Sequence, residues 1–273
     1  MEQKKTKVMV ATNLFDINPI VYSGHLDMFY KLGKVSDEFE IIFHAPWRTP
    51  IDRARNDAAM LAIYYECDYL FFYDDDMYFP NGNDILNLLR CIRDNEKINV
   101  LQALAFIRGY PFRPMIFKLH DIEVGKKKMM TYDEYKNDVD ADGLVKVDAV
   151  GCCCTVIDVN LFKLIPKPWF LTGETHTEDI YFCVKASNYT ENVGIYCNTN
   201  IKIGHLLDKI ILVDENREIL KKIHDENGLN QLFLPDPTFL PMMSNSKSLA
   251  YDFDKRINPL EMDLPLRGEK ENG

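Results

Sequence analysis

The sequence has no Cys-x-x-Cys pair, although it carries 7 cysteines in 273 residues. That absence excludes a zinc ribbon and a thioredoxin-type redox pair. An odd number of cysteines set in apolar runs, such as Cys152-Cys153-Cys154, reads as buried reduced thiols and points to a cytoplasmic setting. No apolar stretch reaches the roughly 18 residues a membrane helix needs, so no membrane span is expected. The opening MEQKKTKVMVATN has too short an apolar run for a secretory signal and fits a first β-strand. Glycine and proline, 13 each, are too scarce for a collagen-like or low-complexity chain. Positive charge is also short: 32 basic against 42 acidic residues leave a net charge of −10, which argues against a general binder of nucleic-acid backbones. Lys126-Lys127-Lys128, the only basic triplet, reads as a solvated turn.

What is present suffices for a core. Apolar residues make up 47% and charged residues 27%, close to globular averages. Strand-like runs at Val8–Thr12, Phe39–Phe43, Asp68–Tyr73 and Val100–Phe106 alternate with helical segments. One helix should start at Thr49-Pro50-Ile51-Asp52 and run to about Glu66, with Ile51, Ala54, Ala58, Leu61, Ala62 and Tyr65 on its apolar face. A second covers Ile85–Ile92. This β/α alternation predicts an α/β domain with a mostly parallel sheet. Further on, strands are expected at Pro114–Lys118, Leu144–Val150 and Gly151–Ile157, with a polar excursion over 120–143. A short helix should follow Asp158 and end before Pro166. Beyond these come a helix over Glu178–Lys185, short strands at Ile195–Cys197 and Ile201–Ile203, and a charged helix over Asp214–Asn227. Pro235, Pro237, Pro241, Pro259 and Pro265 mark residues 231–273 as an extended arm.

The main chemical signal is Asp74-Asp75-Asp76, directly after the apolar run DYLFFY. Three adjacent carboxylates repel one another and are not simply packed away. The carboxyl end of a strand in an open α/β sheet faces the ligand crevice. On an extended chain Asp74 and Asp76 share a side, a spacing that suits one hard divalent cation. A polar strand-to-loop turn would give the same triplet. Arg53 and Asn56, three apart on the helix that leads into the acidic strand, make a plausible nucleotide-binding face; a plain solvated face is the other reading. Glu178 and Asp179 open a helix, where acids ordinarily cap but where a carboxylate is also placed to act as a general base. His205 ends a short strand and, beside a cation at Asp76, is a natural third protein ligand.

The ordered set VMVATN, RARN, LFFYDDDM, GCCCTVID, TED and GHL resembles glycosyltransferases of the GT-A fold. The resemblance spans about residues 6–207 and rests on the order of several short motifs. It implies a GT-A-like domain over 1–207, its mostly parallel central sheet flanked by helices, followed by a helix and irregular C-terminal arm over 208–273. It further implies Mn2+ or Mg2+ held by Asp74, Asp76 and His205. The donor, a nucleoside-diphosphate sugar, would be bound by Arg53, Asn56, Asp74 and Asp75, with Asp179 as the base of an inverting reaction. The short layout is similar to bacterial or phage-type members, whose acceptors would include a glycan, a small molecule or a modified nucleic-acid base. The middle Asp75 leaves open which two carboxylates bind metal. Trp169 and Phe170 are candidates for stacking on a sugar or base. Two rivals remain: a nucleotidyltransferase, which would want a Gly-rich phosphate loop that Ala11-Thr12-Asn13-Leu14 does not supply, and a non-catalytic glycan- or metal-binding module.

Overall fold

The computed structural model describes residues 5–121, 126–173, 176–207 and 210–227. The C-terminal arm expected over 231–273 lies outside these residues. In chain order the elements are β1 (Thr6–Ala11), α1 (Pro19–Lys34), β2 (Phe39–His44), α2 (Ile51–Tyr64), β3 (Tyr69–Tyr73), β4 (Met77–Tyr78) and α3 (Asn83–Arg93). Then follow β5 (Val100–Leu104), β6 (Ile116–Asp121), β7 (Lys126–Met129), α4 (Tyr132–Asn137), β8 (Leu144–Lys146), β9 (Ala149–Val150) and β10 (Cys154–Asp158). The last are α5 (Asn160–Leu164), α6 (Glu178–Tyr189), β11 (Ile195–Lys202), β12 (Gly204–Leu207), β13 (Ile210–Leu212) and α7 (Arg217–Asn227).

The central sheet has seven strands in the order β2-β1-β3-β10-β5-β11-β8. β2, β1, β3, β5 and β11 run one way, and β10 and β8 run against them. This is the mostly parallel α/β sheet, flanked by helices, expected from the sequence. Its middle strands are apolar on both faces because helices cover both sides: β1, β3, β5 and β10 are buried almost throughout. Two three-stranded sheets, β13-β12-β4 and β7-β6-β9, are built from the segments that follow the central strands. Among the described residues no helix is long and apolar enough to cross a membrane.

The helices follow their caps and stripes. α1 starts where the Asn18 side chain accepts from the Ile20 amide at 2.9 Å, with Pro19 at the first position, and buries Val21, His25, Met28 and Leu32. Gly24 lets this helix lie directly on the chain after β4: a Cβ there would meet the Phe79 carbonyl oxygen at 2.8 Å. α3 turns Ile85, Leu88, Leu89 and Ile92 into the core.

Several expectations change. α1 fills a stretch to which the sequence reading assigned no element. The expected strand Leu144–Val150 is two strands, β8 and β9, in different sheets. The two short strands near 195–203 are one bulged strand, β11, whose inner residues also pair with β8. The polar excursion over 120–143 holds β7 and the capped helix α4. Lys126–Lys128 lies on β7, paired to β6, and is not a turn. Trp169 and Phe170 are core residues, 2% and 0% exposed, so neither presents a ring to a sugar. The Trp169 indole donates to the Phe162 and Ile165 carbonyls instead.

Candidate active site

β1, β2 and β3 are parallel neighbours, so their carboxyl ends open on one edge of the sheet. There Thr12 and Asn13 follow β1, His44 ends β2 and Asp74 follows β3. With Pro46 and Arg55 they line a narrow crevice of about 10 Å³, room for about one water. The Asn13 amide donates to the Thr49 carbonyl at 2.6 Å, which leaves its oxygen facing inward. That Asn13 oxygen and the His44 Nε2 are buried without a hydrogen-bond partner. Buried polar atoms left this way are costly, and the crevice has room for a single water to reach them. Burial holds the His44 imidazole below its ordinary pKa, against the opposing pull of Asp57.

The acidic triplet is not extended. β3 stops at Tyr73 and the chain turns, with the Met77 amide donating to the Asp74 carbonyl at 3.1 Å. The three carboxylates therefore take three directions. Asp75 accepts from the Phe15 and Asp16 amides, at 2.6 and 3.1 Å, and so anchors the loop after β1. Asp74 faces Arg55. Asp76 faces His205 and Arg108.

Arg55 is the residue the sequence reading passed over. Its side chain is only 6% exposed. Nε donates to Glu178 Oε1 at 2.9 Å, Nη1 to the Cys152 carbonyl at 3.1 Å and Nη2 to Asp74 Oδ1 at 3.2 Å. One guanidinium thus ties α2 to the turn after β3, the segment before β10 and the start of α6. Burial alone would lower its pKa; the facing Cys152, Asp74, Glu178 and Asp179 outweigh that and raise it. The signal was available. Residues 55, 58, 59 and 62 recur at helical spacing, and Arg55, Ala58, Ala59 and Ala62 are the buried side of α2 together with Ala54. An arginine on an alanine stripe is an arginine aimed at the core.

Arg53 and Asn56 are not brought to the carboxylates. Arg53 is 75% exposed and pairs with Asp57 at 3.7 Å, one helical turn away. The Asn56 amide brackets a loop, donating to the Asp52 and Phe170 carbonyls and accepting from the Trp169 and Phe170 amides.

Around Asp74, desolvation dominates: burial, opposed by Arg55 and reinforced by Asp76 and Glu178, pushes its carboxyl up to about 6. Glu178, 7% exposed, is likewise raised, chiefly by burial. Asp76 behaves oppositely. Burial would raise it, but the hydrogen bond and charge of His205, with Arg108, prevail and hold it below the usual carboxylate range. The His205 geometry follows from the main chain. Its Nδ1 lies 2.8 Å from the Phe106 carbonyl, which can only accept, so Nδ1 carries a proton. Its Nε2 then faces Asp76 Oδ2 at 3.3 Å. Either a proton or a metal cation must lie between those two atoms. The pair therefore fits a cation as two neighbouring donors, with the imidazole oriented through its second nitrogen. Among the described residues no group of three or more His, Cys, Asp or Glu side chains converges to hold a metal. Asp179, at the start of α6, accepts from the Ile180 amide at 2.8 Å. Its other oxygen lies 3.6 Å from where a Gly151 Cβ would stand, and the Met115 side chain, whose end lies 2.9 Å from that point, packs into the space at Gly151. Cys152–Cys154 are fully buried, and desolvation pushes their thiols well above the ordinary range, which excludes a nucleophile.

No protein-family profile matches the chain, and no curated protein sequence matches it. Solved structures do. A197 from STIV superposes with a TM-score of 0.52 at 16% identity, over 77% of this chain and 90% of that one, a likeness of fold. GalNAc-T7, solved with UDP, GalNAc and Mn2+, gives 0.43 at 14% identity over 75% of this chain and 44% of that one. Mannosyl-3-phosphoglycerate synthase from Rubrobacter xylanophilus gives 0.40 at 13% identity, over 83% and 77%.

Proposed function

We propose that this protein is a metal-dependent glycosyltransferase that moves a sugar from a nucleoside-diphosphate sugar to an acceptor hydroxyl, with inversion. The observation that carries the reading is the Asp76–His205 pair, a carboxylate oxygen and an imidazole nitrogen 3.3 Å apart, two ligand types that a divalent cation takes. It stands on the carboxyl side of the sheet, where a doubly covered α/β fold binds ligands. Asp76 and His205 would hold Mn2+ or Mg2+, with the remaining positions left to phosphate oxygens and water; Asp74, turned toward Arg55, is not brought to them. Bound there, the cation would supply charge stabilisation for the departing nucleoside diphosphate.

The chain's own residues supply the rest. Arg55 fixes Asp74 and Glu178 in place and keeps the floor of the site rigid. Asp179 takes the proton of the attacking hydroxyl. The acceptor class stays as broad as a glycan, a small molecule or a modified nucleic-acid base.

The test is binding first and turnover second. Wild-type protein should bind Mn2+ and be stabilised against heat by one sugar nucleotide of a panel only when Mn2+ is present. Asp76→Ala should lose both effects and all metal-dependent release of nucleoside diphosphate. Unchanged turnover in Asp76→Ala would overturn the reading.

A further inference from the structure

Asp76 Oδ2 carries a second contact: Arg108 Nη1 lies 3.2 Å from it. This guanidinium is 60% exposed, whereas the carboxylate is 23% exposed. The contact is single and not the two-pronged pairing that makes arginine–carboxylate bonds strong. Asp76 is the one partner that the described residues give it. Arg108 also belongs to the loop that orients His205, since the accepting carbonyl is that of Phe106, two residues earlier. That loop is closed on itself, with the Ile107 amide donating to the Arg113 carbonyl at 2.9 Å and Phe112 to Gly109 at 2.8 Å. It is also clamped from outside. Tyr110 stacks on His224 of α7 at 4.1 Å, and its hydroxyl donates to Asp225 at 2.6 Å. The main chain is therefore held, and the freedom left at this edge belongs to the long, exposed Arg108 side chain.

We infer that Arg108 is an exchangeable counter-charge: it neutralises Asp76 while no cation is bound there, and moves onto the donor's diphosphate when cation and donor enter. This rests on the function proposed above. A divalent ion held by Asp76 and His205 would draw on the carboxylate that Arg108 faces. Two like charges would then share one carboxylate oxygen, and the weakly held, solvent-facing guanidinium is the one that leaves. A diphosphate brings two anionic groups to the same place, and the planar fork of arginine matches phosphate oxygens. The same loop would thus seat the cation, through Phe106 and His205, and meet the leaving group through Arg108.

The test uses the full chain and two probes. Mn2+ alone is titrated while the electron paramagnetic resonance signal of the free ion is followed. UDP and GDP are then titrated calorimetrically at saturating Mn2+. Arg108→Ala should bind Mn2+ alone about three- to tenfold more tightly, because a competing charge is gone, and this gain should shrink as ionic strength rises. The same variant should bind the preferred diphosphate on the order of tenfold more weakly. Arg108→Lys, which keeps the charge, should stay near wild type for Mn2+. Arg108→Gln provides a neutral replacement should the alanine variant fold poorly. Equal or weaker Mn2+ binding in the neutral variants, beside a wild type that binds Mn2+, overturns the inference alone. Undiminished diphosphate binding overturns its second half. A wild type and variants that all ignore Mn2+ overturn it together with the proposed function.

Discussion

Replacing Arg55 by methionine keeps most of the side-chain volume and removes the guanidinium. Three hydrogen bonds go with it, to Glu178, the Cys152 carbonyl and Asp74. The losses are unequal. Asp74 keeps 35% of its side-chain surface, so although its packed surroundings raise its carboxyl it can still turn an oxygen to water. Glu178, 7% exposed, cannot, and is left as a buried carboxylate without its cation. Breaking one side of a buried pair costs about 3–5 kcal/mol, much of it from the stranded charge. For a domain of this size about 1 kcal/mol moves the melting temperature by roughly 2–4 °C, so a fall on the order of 10 °C is expected. Urea denaturation followed by circular dichroism would measure it at pH 7. Glu178 in the wild type is already raised by burial, and without Arg55 it would be raised further. A carboxyl raised in the folded state stabilises below its unfolded pKa and loses that contribution as pH climbs through its folded value. The Arg55→Met deficit should therefore shrink on acidification from pH 7 toward pH 5. Adding Glu178→Gln to Arg55→Met should restore stability by at least 1 kcal/mol, because the stranded charge disappears. A deficit below about 1 kcal/mol, or no recovery in the double variant, would refute the view that this guanidinium organises the site.

Three further outcomes follow from single positions. Asp179→Asn should keep donor binding and lower transfer by about two to four orders of magnitude, with an inverted anomeric product by proton NMR; a retained product would exclude Asp179 as the base of a single displacement. Glu38 accepts hydrogen bonds from Arg90 and Arg93, which with their charges hold its carboxyl down to about 2. Its contribution is complete above the unfolded value near 4.5 and is lost as pH falls toward 2. Because the pair is partly exposed and solvent-screened, Glu38→Gln should remove only about 1 kcal/mol of acid-sensitive stability, seen as a flatter stability curve between those pH values. Gly24→Ala should destabilise by about 1–3 kcal/mol in urea, since its new Cβ would press on the Phe79 backbone; a neutral result would mean that α1 slides without cost.

The first hundred residues were legible where pattern and punctuation coincide. The run Tyr69–Tyr73 with its abrupt acidic end reads directly as a strand and its terminus, and Pro50 and Asp52 mark the start of α2. α1 escaped because Ser23, Gly24 and His25 interrupt its stripe; its only strong mark is Asn18-Pro19. β8 and β9 read as one strand because a two-residue change of sheet leaves no trace in hydropathy. β10 was legible as a strand but not as one that runs against its neighbours, since strand direction depends on the connections. In the site, carboxylate identity was visible and carboxylate direction was not. A turn beginning at Asp74 sends three adjacent side chains to three different partners. Arg108 had no signal at all, because its partner lies 32 positions earlier and meets it only through the fold.

The cysteines give the molecule a built-in gauge of its own opening. Cys67, Cys152, Cys153, Cys154, Cys183 and Cys197 are buried, and Cys91 is the one partly reachable thiol among the described residues. Alkylation needs an accessible thiolate, so the buried six react only when the structure around them comes apart. For three of them that structure is the site itself: the Cys152 carbonyl holds Arg55, the Cys153 carbonyl accepts from the Asp74 amide at 3.0 Å, and Cys154 continues the same strand. Labelling of Cys152–Cys154 with a small alkylating reagent, timed against Cys91, therefore clocks how often the floor of the candidate site unlocks. A ligand seated on that floor would slow the clock for the triplet and leave Cys91 unchanged.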